Sequence, residues 1–163
     1  MAETTIEWTK STSGEKGYTF NGWEGCQKMG PGCDKCYAEA RNQRFMAGRN
    51  WGPGAERRRT SAANWALPAR WNKQAKRKGK RLRVFTASLS DWLDNAVPIE
   101  WLADLLQQVK ENDALDWLML SKRIGIWRSR LSDCSEVAST EVGRAKWPGL
   151  GEWIDAWLAG NAP

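Results

Sequence analysis

Two short apolar runs, separated by an amphipathic segment, dominate the pattern of hydrophobic and polar residues in this chain. Residues 83–88 and 115–120 have the apolar and aromatic composition of buried strands. Between them, apolar residues recur at the three- and four-residue spacing of a helix, at Ile99, Leu102, Leu105, Leu106 and Val109. This order predicts two parallel strands joined through a helix in a right-handed crossover, and therefore an α/β fold.

Weaker patterns predict the elements that precede this unit. Residues 5–9 and 18–20 are typical of short strands, and residues 38–46 are typical of a helix. Residues 60–78 predict one or two helices interrupted at Pro68, because the residue before a proline disfavours the helical conformation.

The ends of two helices are also indicated. Asp94 or Asn95 is expected to cap the central helix, with Pro98 in its first turn. Residues 147–158 predict a short amphipathic helix that either covers the core or contacts a partner. Its apolar residues are Trp153, Ile154, Trp157 and Leu158.

Length and composition predict the class of protein. The 163 residues fit a single domain, and no apolar run reaches the roughly 20 residues of a membrane span. No segment is typical of a signal peptide. We therefore expect a cytoplasmic protein, in which disulfides are rare and clustered cysteines indicate metal or redox chemistry.

Three of the four cysteines form one cluster. Cys26, Cys33 and Cys36 lie in the spacing C-x6-C-x2-C. The Gly-Pro-Gly at 30–32 bends the backbone, so that the three thiolates can converge on one point. Cys36 precedes the helix predicted over residues 38–46, whose N-terminus favours a thiolate. The pattern predicts a site for a metal ion or an inorganic cluster.

The chain contains no histidine. This excludes, within the chain, zinc sites that mix cysteine with histidine and nucleophiles activated by a histidine base. A closed zinc site would need a fourth ligand from Cys134 or from a carboxylate. An iron–sulfur cluster held by three thiolates would leave one iron open to a small molecule. The spacing does not distinguish between these two alternatives.

The net charge of +6 is concentrated in two stretches near tryptophans. Basic residues interleaved with aromatic rings bind phosphates and stack on bases, which makes these stretches candidates for binding nucleic acid or another partner. An ordinary solvated surface is the alternative. The candidate residues are Arg57, Arg58, Arg59, Lys73, Lys76, Arg77 and Lys78. Most of the twelve tryptophans are expected in the core or at an interface.

Polar side chains follow both strands of the predicted crossover. They are Ser88, Ser90 and Asp91 after the first strand, and Ser121, Lys122 and Arg123 after the second. Ligands of parallel α/β sheets bind beyond the carboxyl ends of the strands. If residues 18–20 form a neighbouring strand, the cysteine loop leaves from the same edge and these groups line one site. The alternative is that Asp91 caps a turn while the two basic residues are solvated.

Several sequence blocks, in order from residue 5 to about residue 131, resemble a family of phage-encoded three-cysteine-motif proteins. The cysteine block at 25–39, Ser-Leu-Ser-Asp at 88–91 and Leu-Ser-Lys-Arg at 120–123 carry most of the resemblance. The other blocks are Ile-Glu-Trp-Thr at 6–9, the residues around Trp51 and the arginines that follow, and the run from Arg83. This family is similar to radical S-adenosylmethionine enzymes of the spore photoproduct lyase kind.

The resemblance implies a partial, half barrel of parallel strands with the cysteine-rich loop at the C-terminal edge of the strands. It also implies that the three clustered cysteines hold a [4Fe–4S] cluster, which cleaves bound S-adenosylmethionine to a carbon radical. The implied cofactor-binding residues are Ser88, Ser90, Asp91, Ser121 and Lys122, with Lys122 and Asp91 as catalytic candidates. A nucleic acid held by the basic stretches is the expected substrate.

The chain departs from these relatives in several respects, one of which is Ser121 in place of their threonine. Its C-x6-C-x2-C spacing differs from the C-x3-C-x2-C that is usual in the radical enzymes, and the resemblance ends after Leu131, which leaves residues 132–163 as a divergent tail. With 163 residues, the chain is also shorter than a complete barrel of about 250 residues.

Two main functional hypotheses follow. The protein is either an iron–sulfur enzyme that uses S-adenosylmethionine, or a non-catalytic protein in which iron–sulfur or zinc stabilises the fold. In the second case, the basic, Trp-rich surface would bind nucleic acid or a host protein, as an inhibitor of a host defence system does. A zinc-ribbon protein is a weaker alternative, because the chain has no second C-x2-C pair. The phage resemblance implies the cytoplasm of the host cell.

Overall fold

Strands and helices are interleaved along the chain. The computed structural model describes residues 3–12 and 14–161. The strands are β1 (Tyr18–Phe20), β2 (Trp23–Glu24), β3 (Arg58–Arg59), β4 (Leu82–Thr86) and β5 (Leu115–Met119). The helices are α1 (Tyr37–Met46), α2 (Ala62–Trp65), α3 (Leu67–Lys78), α4 (Ile99–Glu111), α5 (Trp127–Ser139), α6 (Glu141–Lys146) and α7 (Leu150–Leu158).

Three of the strands form a parallel sheet in the order β1-β4-β5. Tyr18 of β1 is aligned with Val84 of β4, and Leu82 of β4 with Leu115 of β5. Because α4 connects β4 to β5, the predicted pair of parallel strands joined through a helix is confirmed. β2 and β3 form a separate antiparallel pair. Within the described residues this is a partial parallel α/β fold without a closed barrel.

The two faces of the sheet are covered differently. Side chains alternate between the faces along a strand, so Arg83 and Phe85 of β4 are partly exposed while the residues on either side are buried. The buried face belongs to a core to which α3, α4, α5 and α7 contribute. On the other face, the ring of Trp8 packs edge-on against Phe85, with centroids 4.7 Å apart. These four helices therefore contribute to the core on one face, and the N-terminal segment covers part of the other.

The prediction of a strand over residues 5–9 is wrong, because Glu7–Thr9 form a 3-10 helix. The hydroxyl of Thr9 donates to the backbone oxygen of Ile6 at 2.6 Å. Local hydrogen bonds of this kind compete with strand pairing. Arg83 then donates to the backbone oxygen of Lys10 at 2.9 Å, which ties this segment to β4.

Residues 60–78 form two helices, as the sequence allowed, but the predicted break at Pro68 is wrong, because the helices are separated at Ala66. α2 and α3 are separate helices, and Pro68 lies in the first turn of α3, where its missing N–H removes no helical hydrogen bond. α3 ends at Gly79, which adopts the left-handed conformation that glycine favours.

The C-terminal part of the chain completes the core. Leu150 and Ile154 are fully buried and Trp147 is nearly so, which confirms that the predicted C-terminal helix covers the core. α7 packs mainly against α5. The hydrophobic pattern did not predict α5, because its buried residues include Arg130 and Ser135 as well as apolar side chains. No helix in residues 3–12 and 14–161 has the length and apolar character to cross a membrane.

A buried ion pair corrects two predictions. Pro98, not Asp94 or Asn95, occupies the N-cap position of α4. Asp94 instead accepts a hydrogen bond from Arg57, with Nε and Oδ2 2.7 Å apart and both side chains 0% exposed. Arg57 also donates to the backbone oxygen of Ala55 at 2.6 Å. Arg57 therefore does not belong to an exposed partner-binding surface.

We expect the substitution Arg57→Met to lower the free energy of unfolding by about 3 kcal/mol, because the buried carboxylate of Asp94 loses its hydrogen-bonded partner and keeps only Arg123 at 3.7 Å. Arg58→Met is the matched control. Arg58 is 47% exposed and paired with Glu24, so its loss should cost about 1 kcal/mol or less. Urea unfolding followed by tryptophan fluorescence measures both values, and equal effects would contradict the buried position of Arg57.

Candidate functional site

The C-terminal ends of the three parallel strands surround one cavity. The chain leaves β1, forms β2 and reaches Cys26, while the loops after β4 and β5 approach from the neighbouring strands. The backbone N–H of Gly25 donates to the backbone oxygen of Leu89 at 3.1 Å, which holds the start of the cysteine segment against the loop after β4. A side chain at Gly25 would meet the backbone oxygen of Asn50 at 2.3 Å, so this close approach requires glycine.

The cavity has a volume of about 230 Å³. Its wall contains all three clustered cysteines and every residue proposed from the sequence to bind a cofactor. The residues concerned are Cys26, Cys33, Cys36, Ser88, Ser90, Asp91, Ser121 and Lys122. Aromatic side chains complete the wall, namely Tyr37, Trp51 and Phe85. The structure therefore places the sequence-predicted site residues around a single space.

The three cysteines enter the cavity from different local structures. Cys26 follows β2, Cys33 ends the 3-10 helix Pro31–Cys33, and Cys36 is the N-cap residue of α1. All three are free thiols. Among the residues that the structure describes, no three Cys, Asp or Glu side chains lie close enough together to hold one metal ion. The expected convergence of the thiolates on one point is therefore not met in this structure.

The surroundings of two thiols shift their pKa values in opposite directions. Burial is the largest influence on Cys26 and raises its pKa, and a hydrogen bond from Arg123 offsets part of that increase. A hydrogen bond from the backbone of Met29 is the largest influence on Cys33 and lowers its pKa, to which Lys122 and Arg123 add smaller contributions. The thiolate of Cys33 therefore forms at a lower pH than that of Cys26.

Asp91 links the loops that follow β4 and β5. Its Oδ1 accepts hydrogen bonds from the backbone N–H of Leu93 at 3.0 Å and from the hydroxyl of Ser121 at 2.7 Å. Its Oδ2 accepts from the backbone N–H of Lys122 and from Nη1 of Arg123, both at 3.1 Å. With four donors around one buried carboxylate, Asp91 is a positioning residue in this structure. The sequence-based alternative that Asp91 only caps a turn does not account for these contacts.

Two basic residues connect the loop after β5 to the cysteine segment. Nζ of Lys122 donates to the backbone oxygen of Gly32, in the turn between Cys26 and Cys33. Nη1 of Arg123 lies 3.3 Å from the sulfur of Cys26, and its Nη2 donates to the backbone oxygen of Gln27 at 3.1 Å. Arg123 is buried and is therefore not solvated, contrary to one of the sequence-based alternatives.

Asn21 is a site residue that the sequence did not reveal. It follows β1 and is 1% exposed. Its side chain donates to the hydroxyl of Ser88 at 3.0 Å and accepts from the backbone N–H of Leu89 at 2.8 Å. This fixes the loop after β4 to the end of β1. Its position directly after a predicted strand, at the ligand-binding edge, was the available signal.

Three buried polar atoms in residues of the cavity wall have no hydrogen-bond partner among the described residues. They are the hydroxyl of Ser90, the indole N–H of Trp51 and Nε of Arg123. Buried polar groups in folded proteins are nearly always paired with protein, water or a ligand. These atoms have almost no exposed surface, so they are enclosed within the wall and do not mark contacts of a bound molecule.

Cys134 is not part of this site. It lies on α5, is 0% exposed and belongs to the apolar core. Burial is the largest influence on its pKa, which is raised to about 12. The structure therefore does not bring Cys134 to the other three cysteines as the fourth ligand of a zinc site.

The two basic stretches lie on different elements of the fold, and several of their charges are paired with carboxylates. Arg58 pairs with Glu24, and Arg59 pairs with Asp104 at 2.7 Å while stacking on Trp65. In the second stretch, all four candidates lie on the exposed side of α3. Two of them are paired there, Lys76 with Asp113 and Lys78 with Glu15, whereas the ion pairs among the described residues do not include Lys73 or Arg77.

Comparison with known proteins adds the family. The model of a protein family described as a protein of unknown function, DUF5131, matches residues 3–161. The match therefore extends through the segment after residue 131. No curated protein and no solved structure matches this chain.

We expect cysteine alkylation to follow these surroundings. In metal-free, reduced protein, Cys33 should reach its half-maximal rate of reaction with iodoacetamide at a lower pH than Cys26, because its pKa is lowered while that of Cys26 is raised. Cys134 should react only after unfolding in urea. Peptide mapping by mass spectrometry across a pH series measures all of these. Labelling of Cys134 in the folded protein would contradict its place in the core.

Proposed function

Because this chain belongs to the DUF5131 family, described only as a protein of unknown function, we propose a function from the chemistry of its cavity. Cys26, Cys33 and Cys36 hold an iron–sulfur cluster at the C-terminal edge of the sheet. The adjoining part of the same cavity binds S-adenosylmethionine. With S-adenosylmethionine bound beside it, the reduced cluster would supply the electron for cleavage of S-adenosylmethionine to a carbon radical.

The single observation that carries this proposal is the position of three thiols in the wall of one cavity. The proposed cluster needs no other type of protein ligand. A four-iron cluster binds each thiolate at a different iron, so its ligands surround it rather than meet at one atom. A single zinc ion would instead draw its sulfurs to about 3.8 Å from one another, because each Zn–S bond is about 2.3 Å long. Among the described residues, no three Cys, Asp or Glu side chains lie close enough to hold one metal ion, and this supports the cluster over a single zinc ion.

The charges around the cavity support the same assignment. Three thiolates in a partly buried site repel one another unless positive charge is nearby. Arg123 donates to the sulfur of Cys26, and Lys122 contributes to the lowered pKa of Cys33. Asp91 holds both basic residues in place through the contacts described above. Hydrogen bonds to cluster ligands also set the reduction potential of a cluster, and Arg123 is placed to do this.

The cavity wall also contains polar residues for a small polar cofactor. They are Ser88, Ser90, Ser121 and Lys122. The volume of about 230 Å³ is below the roughly 300–1,000 Å³ of typical ligand sites. A bound cofactor would therefore extend into the mouth of the cavity, where Tyr37 and Leu120 are both 59% exposed.

We expect protein purified without oxygen and supplied with iron and sulfide to be brown and to contain about four irons per chain. Cys33→Ala should lose the colour and most of the iron, because it removes one of three ligands. Cys134→Ala is the matched control and should keep both, because Cys134 lies in the core. Iron and sulfide analysis measures the result, and colourless wild-type protein that contains zinc would overturn the proposal.

S-adenosylmethionine should bind to the cluster-containing protein and change its electron paramagnetic resonance spectrum. Ser88→Ala should weaken that binding roughly three- to tenfold, the range for the loss of one hydrogen bond. Ser132→Ala, which removes an exposed hydroxyl on α5, should leave it unchanged. Equilibrium dialysis measures the affinity. A protein that carries the cluster but does not bind S-adenosylmethionine would contradict the proposed binding of S-adenosylmethionine and leave the proposed cluster intact.

A further inference from the structure

The segment that follows the cysteines carries uncompensated positive charge. Residues 40–55 contain three arginines, Arg41, Arg44 and Arg49, and no aspartate or glutamate. All three are exposed. Arg41 reaches Glu24 only at 4.0 Å, and Glu24 is already paired with Arg58 at 2.5 Å. The ion pairs found among the described residues include neither Arg44 nor Arg49. This surface therefore attracts anions.

An exposed aromatic ring lies within this charge. Phe45 is 64% exposed, which leaves most of its ring open to contact with another molecule. The guanidinium carbons of Arg41 and Arg44 lie 5.6 Å and 5.2 Å from the ring centroid. Proteins that bind single-stranded nucleic acid combine such elements, because the aromatic ring stacks on a base while neighbouring cations contact the phosphates.

Helical spacing places these residues in one row that begins at the cavity. Arg41, Arg44 and Phe45 lie four, seven and eight residues after Tyr37, and positions at i, i+4, i+7 and i+8 share one face of a helix. Tyr37 lines the cavity at the start of the row. Trp51, beyond the end of α1, lines the same cavity. A ligand bound along this face of α1 therefore reaches the mouth of the cysteine-lined cavity.

We propose that the exposed face of α1, formed by Arg41, Arg44 and Phe45 and extended by Arg49, binds single-stranded nucleic acid and leads it to the cavity. The charge of the three arginines is complementary to the phosphates. The exposed ring of Phe45 requires a base whose face is not already stacked in a duplex. The binding surface stands without the cluster, whereas the role of the bound strand as a substrate rests on the function proposed above.

α3 is a weaker candidate for this ligand, although the sequence pointed to it. Two of its four candidate basic residues are paired with carboxylates. Its aromatic residue, Trp71, is 6% exposed and belongs to the core. α3 thus offers charge without a stacking surface. For this reason it provides a matched control for the charge of α1.

The test measures the affinity of short fluorescent oligonucleotides by anisotropy at several salt concentrations. Single-stranded DNA, single-stranded RNA of the same sequence and the DNA duplex are the probes, and the two single strands distinguish the natural source of the ligand. We expect at least one of the two single strands to bind more tightly than the duplex. Phe45→Ala should weaken that binding roughly 5- to 100-fold through the loss of base stacking.

Variants that remove positive charge distinguish binding at the face of α1 from general electrostatic attraction to the whole protein. The double variant Arg41→Gln and Arg44→Gln should weaken binding and reduce the salt slope by about 1.4, the value for two phosphate contacts on a single strand. The double variant Lys73→Gln and Arg77→Gln removes the same charge from α3 and should leave the slope nearly unchanged. Equal losses in the two double variants, unchanged binding by Phe45→Ala, preference for the duplex, or full displacement by polyglutamate would each overturn the proposal.

Failure of this surface is distinguishable from failure of the cluster. Wild-type protein that lacks iron but binds single strands through Phe45 would refute the proposed iron–sulfur cluster and support the proposed binding surface on α1. Protein that carries the cluster but does not bind single strands would refute the binding surface on α1 and leave the proposed iron–sulfur cluster intact.

Discussion

A buried network of two arginines and two aspartates holds the C-terminal edge of the sheet together. Arg57, near β3, pairs with Asp94 in the segment after β4, and Arg123, after β5, contacts both Asp94 and Asp91. Buried charges are tolerated only when they are paired and hydrogen-bonded, and removal of one partner is strongly destabilising. The loops that surround the cavity therefore have fixed positions because their charges neutralise one another.

The same network connects the fold to the chemistry of the cysteines. Arg123, which pairs with Asp91 and Asp94, also donates to the sulfur of Cys26. Lys122, whose backbone is held by Asp91, reaches the turn that precedes Cys33. Cys26 thus lies beside the buried positive charge of Arg123, whereas the turn before Cys33 contacts the exposed Lys122. The exposed arginines of α1 differ, since they lack comparable acidic partners and remain available to an external anion.

The site was largely predictable in composition but not in the roles of its members. Residues that follow neighbouring parallel strands meet at one edge, so the spacing of Ser88, Asp91 and Lys122 along the chain was sufficient to place them together. Their partners depend on side-chain directions, which periodicity does not contain. Asp91 consequently proved to be a positioning residue with four donors, and Arg57 proved to be buried rather than exposed.

The sequence by itself determined the strand–helix–strand unit, the helices within residues 60–78 and the clustering of three cysteines along the chain, because hydrophobic period and residue spacing are local properties. Tertiary structure alone decided which charges are buried, that Cys134 lies in the core, and which basic surface remains unpaired. Residues 57 and 94, or 91 and 123, are distant in the chain, and only folding brings their charges together. Burial and pairing are properties of that three-dimensional arrangement, so no local pattern contains them.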